Sequence, residues 1–165
     1  MRAYIGLGSN LADPVQQILT ALDELNSIPE SQPVARSALY RSAPMGPRDQ
    51  PDYINAVAAI DTQLNAKALL HYLQAIEQRH GRVRDGERWG ARTLDLDILI
   101  YGSEISSDPD LTLPHPGAHL RVFVLAPLSS IAPDAEIPGK GRVVDLLHAC
   151  GSQRIEIVDS AVPAR

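Results

Sequence analysis

The sequence predicts an α+β fold with elements in the order β-α-β-β-α-β and a C-terminal extension. Three observations lead there. Four short stretches carry apolar residues at strand spacing, and two longer stretches carry them at helical spacing. Loops rich in Pro, Gly or charge separate them. This order is the ferredoxin-like pattern, in which helices cover one face of an antiparallel sheet.

The first strand is expected over Ala3-Tyr4-Ile5-Gly6-Leu7-Gly8, with its glycines read as a tight turn at the strand end. Ser9 to Pro14 is a loop, in which Asp13 suits an N-cap and Pro14 the first helical position. Val15, Ile18, Leu19, Leu22 and Leu25 then repeat as one helix face, and Ile28-Pro29 stops it. A second strand is expected over Val34 to Tyr40, followed by a Pro- and Gly-rich loop from Ala43 to Pro51. The third strand, Tyr53 to Thr62, turns Ile54, Ala56, Ala58 and Ile60 to one face and Tyr53, Asn55 and Val57 to the other. A helix from Ala66 to Arg79 buries Leu69, Leu73 and Ile76, with Leu70, Gln74 and Glu77 on an adjoining face. The fourth strand runs from Thr93 to Tyr101. The extension from Gly102 holds loops, an apolar segment around Phe123 to Leu128 and a short helix at Val143 to Ala149.

A length of 165 residues fits one domain, 1–165, with a core that needs no staples. No apolar run reaches the ~20 residues of a membrane span, and the N-terminal segment breaks at Gly6 too early for a secretory signal. A single cysteine, Cys150, excludes an internal disulfide framework and a cysteine-based zinc site. The expected location is the cytoplasm. The net charge of −5 argues against general nucleic-acid binding. Yet thirteen of the fifteen cations are arginine, and five of them fall between Arg79 and Arg92. Arginine suits bidentate contact with phosphate, so a small anionic ligand fits this pattern better than a polymer.

The segment Arg92-Thr93-Leu94-Asp95-Leu96-Asp97-Ile98 carries the strongest chemical signal. On a strand, Leu94, Leu96, Ile98 and Ile100 share one face, and Asp95 and Asp97 share the other, roughly 6.5–7 Å apart at Cα. Two readings are open at this point. One is the solvated face of an amphipathic strand. The other is a metal site, since aspartate is disfavoured in strands and a cation would relieve the mutual repulsion of the pair.

The run from Arg82 to Arg92 reads either as a charged surface loop or as a nucleotide loop. Trp89 favours the second, because tryptophan among arginines often stacks on a ligand or a cation. Gly6-x-Gly8 lacks the third glycine of a dinucleotide fingerprint, and no phosphate-binding G-x-x-x-x-G-K-[ST] motif is present. His115 and His119 are four apart, but Pro114 and Pro116 argue against a zinc-binding helix.

At these residues the chain resembles the 6-hydroxymethyl-7,8-dihydropterin pyrophosphokinases of folate biosynthesis. The match centres on Arg88-Trp89-Gly90-Ala91-Arg92-Thr93-Leu94-Asp95-Leu96-Asp97-Ile98. It extends to Tyr4 through Leu11, Tyr40 through Pro44, Gln50 through Ala56, Pro114-His115-Pro116 and Arg121 through Leu128. The motifs occur in order from Tyr4 to Leu128, which makes the resemblance specific. It implies a ferredoxin-like fold and transfer of pyrophosphate from ATP to the hydroxymethyl group of the dihydropterin, releasing AMP. It implies that Asp95 and Asp97 hold two Mg²⁺ ions and that Arg82 and Arg92 assist catalysis. ATP contacts are implied at Leu70, Gln74, Glu77, Arg84, Trp89, Arg92, His115 and Arg121, with backbone contacts at Ile98 and Thr112. The pterin pocket is implied at Gly8, Ser42, Ala43, Met45, Tyr53, Asn55 and Phe123, with Tyr53 and Phe123 flanking the ring.

Ser42, Ala43 and Met45 stand where some relatives carry Thr, Pro and Leu. Pro116 stands in place of an aromatic residue and Asp110 in place of a basic one, which puts nucleotide affinity in question. The expected partners are ATP and the dihydropterin, with no nucleic acid or membrane, and the expected state is a monomer. The alternatives are another Mg²⁺-dependent nucleotide transferase, or a ferredoxin-like domain that binds pterin or nucleotide without catalysis.

Overall fold

The computed structural model describes residues 1–10, 13–42, 52–80, 94–150 and 155–158. In chain order its elements are β1 (Arg2–Ser9), α1 (Pro14–Glu24), β2 (Ser31–Arg36), β3 (Tyr40–Ser42), β4 (Tyr53–Thr62), α2 (Ala66–Arg79) and β5 (Asp95–Tyr101). Then come β6 (Ser106–Asp108), β7 (Leu111–Leu113), α3 (Val122–Ile131), β8 (Glu136–Ile137), β9 (Gly141–Arg142), α4 (Val143–Ala149) and β10 (Glu156–Ile157). The main sheet is antiparallel in the order β10-β3-β4-β1-β5, and β2 also pairs with β4. With α1 and α2 on one face, this is the ferredoxin-like arrangement.

Helix α1 starts where its side chains dictate. The Asp13 carboxylate accepts from the Gln16 N–H at 3.5 Å, and Pro14 occupies the first turn, where no N–H is needed. Asn65 caps α2 in the same way, its Oδ1 accepting from Ala68 N at 2.8 Å. Strand β4 is buried on both faces. Its Ile54, Ala56, Ala58 and Ile60 join Ile18 and Leu22 of α1 and Leu69, Leu73 and Ile76 of α2. Its Val57 and Ala59 join Val124, Leu125 and Leu128 of α3 and Val143 of α4. The C-terminal extension therefore adds a second helical layer on the opposite face. Its last described strand, β10, pairs with β3.

Three expectations need correction. The stretch Val34 to Tyr40 is not one strand, because β2 ends at Arg36 and β3 begins at Tyr40. Between them Ser37 donates its N–H to Val57 O at 2.9 Å and accepts from Val57 N on its hydroxyl at 3.0 Å. The hydroxyl thus replaces a strand carbonyl and lets the backbone bend. Four steps from Arg36 to Tyr40 face three steps from Ala58 to Asn55, which is the register of a bulge.

Ile100 does not share a face with Leu94, Leu96 and Ile98. Ile5 faces Ile98 while Tyr4 faces Ile100, so Leu99 is an extra residue and the alternation switches there. Leu99 and Ile100 both pack with Tyr4 and Val57 under α3. The third correction concerns Gly6 and Gly8. They lie within β1, paired on both sides, and do not form a turn.

Candidate functional site

The sheet register decides which side chains meet. Gly8 lies opposite Asp95 on one side and Asn55 on the other, and Asn55 in turn faces Tyr40. In the adjacent row Gly6 lies between Asp97 and Val57. All these positions belong to the face that α3 covers, away from α1 and α2. Asp95 and Asn55 are two strands apart, roughly 10 Å at Cα. Between them β1 offers backbone alone, so a flat ligand can lie on the sheet at that point. A Cβ added at Gly8 would stand 3.2 Å from Asn55 Oδ1, so the floor is already tight. The strand reading of the acidic pair therefore holds, and the glycines supply what the sequence reading missed.

The polar end of this row is fixed by a hydrogen bond between two side chains. Asn55 is 7 % exposed, and its Nδ2 donates to Ser42 Oγ at 2.7 Å. Ser42 pairs in turn with Tyr53 across β3 and β4. Tyr53 and Phe123 are both half-buried, and Phe123 packs on the apolar cluster around Val57 and Tyr4. The Arg121 guanidinium lies 5.8 Å from the Phe123 ring centroid, within cation–π range. The structure thus brings Gly8, Ser42, Tyr53, Asn55 and Phe123 to the same face as the two aspartates.

The acidic end opens to solvent. The Asp97 side chain is 54 % exposed, and its Oδ2 lies 4.0 Å from His115 Nε2. The His115 backbone N–H donates to Leu99 O at 2.9 Å, so the segment after β7 runs along the outer edge of β5. Among the described residues His115 Nδ1 is buried without a hydrogen-bond partner. Thr112 on β7 is half-buried, with its hydroxyl donating to Asp108 O at 3.1 Å. Ile98 points its side chain into the core under α1 and α2, which leaves only its backbone for a ligand. His119 lies in the single turn Ala118–Leu120 that leads to Arg121.

Leu70, Gln74 and Glu77 sit on α2, behind the sheet. Leu70 and Gln74 are half-buried, whereas Glu77 is 4 % exposed and its Oε2 accepts from Leu96 N at 2.7 Å. Arg82, Arg84, Trp89, Arg92, Ala43 and Met45 fall outside the described residues.

The donor set suits a hard cation. Among the described residues no group of three or more His, Cys, Asp or Glu side chains surrounds one point. That excludes a closed protein cage for the described part of the chain. Mg²⁺ needs no such cage, since one or two carboxylates together with substrate phosphates and water commonly hold it. Asp95 and Asp97 on one strand face supply that minimum.

Comparison with known proteins converges on one family. The family model described as 7,8-dihydro-6-hydroxymethylpterin-pyrophosphokinase matches residues 4–133. The 2-amino-4-hydroxy-6-hydroxymethyldihydropteridine pyrophosphokinase of Pseudomonas aeruginosa is 50 % identical over 160 residues, 97 % of this chain and 98 % of that protein. The Haemophilus influenzae protein of the same name is 50 % identical over 145 residues, 88 % of this chain and 90 % of that one. Among solved structures, Plasmodium falciparum HPPK-DHPS aligns with a TM-score of 0.71 at 13 % identity, over 90 % of this chain. This chain spans 43 % of that longer one, and at such low identity the likeness shows the shared fold alone. The extent and identity of the sequence matches place this chain in the 7,8-dihydro-6-hydroxymethylpterin-pyrophosphokinase family.

Proposed function

We propose that this chain moves the β,γ-pyrophosphoryl group of ATP onto 6-hydroxymethyl-7,8-dihydropterin at the face shared by Asp95, Asp97 and Asn55. Family membership supplies the reaction class: the chain is an ATP-dependent pyrophosphokinase of folate biosynthesis. The observation that carries the placement is the row Asp95, Gly8, Asn55, with a bare glycine between a carboxylate and an amide held by Ser42.

In this reading Asn55 binds the polar edge of the pterin, and Tyr53 and Phe123 hold its ring from either side. Ser42, Ala43, Met45 and Gly8 complete the pocket. Held there, the hydroxymethyl group points toward the acidic pair. Asp95 and Asp97 would hold two Mg²⁺ ions, and the bound ions would supply charge neutralisation, polarisation of the phosphoryl group and a lowered pKa of the pterin hydroxyl. Phosphoryl transfer needs alignment and charge stabilisation above all, so no separate general base is invoked.

His115 and Arg121 meet the phosphates beside Asp97. Leu70 and Gln74, with backbone at Ile98 and Thr112, receive the nucleoside around the β5 edge. Arg82 and Arg92 stabilise charge in the transition state, while Arg84 and Trp89 contact ATP. AMP leaves together with the pterin diphosphate. The working unit in this reading is one chain, 1–165, acting as a monomer in the cytoplasm.

Mass spectrometry of the products from ATP, Mg²⁺ and the dihydropterin alcohol tests the proposal. AMP and a pterin diphosphate are expected. ADP would make the chain an ordinary kinase, and free pyrophosphate a nucleotidyltransferase. Pterin binding by calorimetry without turnover would leave only a binding domain.

A further inference from the structure

We infer that Glu77 is a positioning residue for the acidic pair, acting through the backbone of Leu96. This rests on the reading of Asp95 and Asp97 as Mg²⁺ ligands. Strand β5 ends the described sheet and has β1 as its only strand partner there. Along such a strand the backbone groups point alternately inward and outward. Asp95 and Asp97 face Gly8 and Gly6 of β1. The N–H between them, on Leu96, is taken by Glu77 Oε2 at 2.7 Å, from the helix behind the sheet.

A second outer contact follows three residues on, where Leu99 O accepts from His115 N at 2.9 Å. The stretch carrying Asp97 is therefore held from β1 on its inner side and pinned at two points on its outer edge. A side-chain oxygen that reaches the Leu96 N–H from α2 fixes that peptide, whether it belongs to a carboxylate or an amide. Burying a carboxylate is costly unless it is well partnered, and Glu77 is 4 % exposed. Its neighbours on α2, Leu69, Leu73 and Ile76, show that an apolar residue would serve packing alone. A carboxylate in that place instead sets the plane of the peptide linking the two metal-binding residues. Groups that orient metal ligands in this indirect way typically matter about 10–100-fold in metal affinity or activity.

The test compares Glu77→Gln, Glu77→Asp and Asp97→Ala for kcat, the KM values of ATP and pterin, the Mg²⁺ concentration at half-maximal rate, and Mn²⁺ affinity by titration calorimetry with a non-hydrolysable ATP analogue. Glu77→Gln keeps an acceptor oxygen at the same reach and should stay within roughly threefold of the parent. Glu77→Asp keeps the charge but draws it back by one methylene. It should need about 10-fold or more Mg²⁺, or lose as much in kcat, with the pterin KM nearly unchanged. Three outcomes overturn the inference. Parental kinetics with only a lowered melting temperature in Glu77→Asp would make Glu77 structural. A raised ATP KM at unchanged Mg²⁺ dependence would make it a nucleotide contact. Loss in Glu77→Gln but not in Glu77→Asp would make its charge, not its reach, the working property. Asp97→Ala keeps the two claims apart: parental turnover and Mg²⁺ dependence in that variant would sink the metal reading itself.

Discussion

At the scale of single residues, the proposed chemistry rests on the acidic pair and the bare backbone beside it. Asp97→Ala is expected to lower kcat by about 10²–10⁴-fold with Mg²⁺, several kcal/mol of transition-state stabilisation, measured in steady-state turnover. Gly8→Ala addresses the bare backbone between Asp95 and Asn55. Its new Cβ would stand 3.2 Å from Asn55 Oδ1, so the amide must shift off its Ser42 partner or the strand must give. Pterin affinity should fall by the order of 1 kcal/mol, roughly fivefold, while ATP binding changes little, as titration calorimetry would read. The aspartates were legible from sequence because period-two spacing places them on one face whatever the rest of the fold does. The glycines were not, because Gly6-Leu7-Gly8 carries the same local signal whether it turns or continues as a strand. Only the partners Asp95 and Asn55 on either side of Gly8 show which. Likewise nothing in the sequence marks Leu96, an ordinary core leucine, as the point where Glu77 meets β5.

At the scale of elements, regular periodicity was readable and local exceptions were not. Strand β4 and helix α2 fall where their patterns put them, Tyr53–Thr62 and Ala66–Arg79, because each has an unbroken apolar period and α2 a side-chain cap. The Leu99 bulge and the Ser37 break each depend on a partner far along the chain, Ile5 with Tyr4 in one case and Val57 in the other. The β6–β7 hairpin carries Thr112 and is tied to the start of α2 by Lys67 and Asp108, 3.0 Å apart. The Asp110 N–H, and then the Lys67 ammonium, hold the Asp108 carboxyl below the usual carboxylate range. A depressed folded-state pKa adds stability above the unfolded value, and that share is lost as pH falls through the folded one. Asp108→Asn should therefore flatten the acid limb of a melting-temperature profile and leave neutral-pH activity near the parent. An unchanged acid limb would show that the pairing contributes nothing.

At the scale of the whole molecule, the sheet separates two apolar layers, and the site opens beside the second of them. The layer of α1 and α2 was legible, since both helices are amphipathic. The layer built by α3 was not. Val122–Ile131 is apolar nearly all round and contains Pro127, so it lacks a stripe and carries a residue that usually ends helices. Its burial between β4 and α4 is what makes it a helix. Leu125, fully buried in this layer, lies two residues from Phe123. Leu125→Ala should cost about 2–5 kcal/mol in chemical denaturation and loosen pterin binding with it, whereas unaltered pterin affinity would separate the site from that layer. The central claim is that Asp95 and Asp97 form a two-metal clamp on the sheet face that also holds Asn55. A crystal structure with Mn²⁺ and a non-hydrolysable ATP analogue tests it most directly. The expected result is two anomalous peaks about 3.5–4 Å apart, each within bonding distance of an Asp95 or Asp97 oxygen. Bound nucleotide with no Mn²⁺ on either aspartate would contradict it.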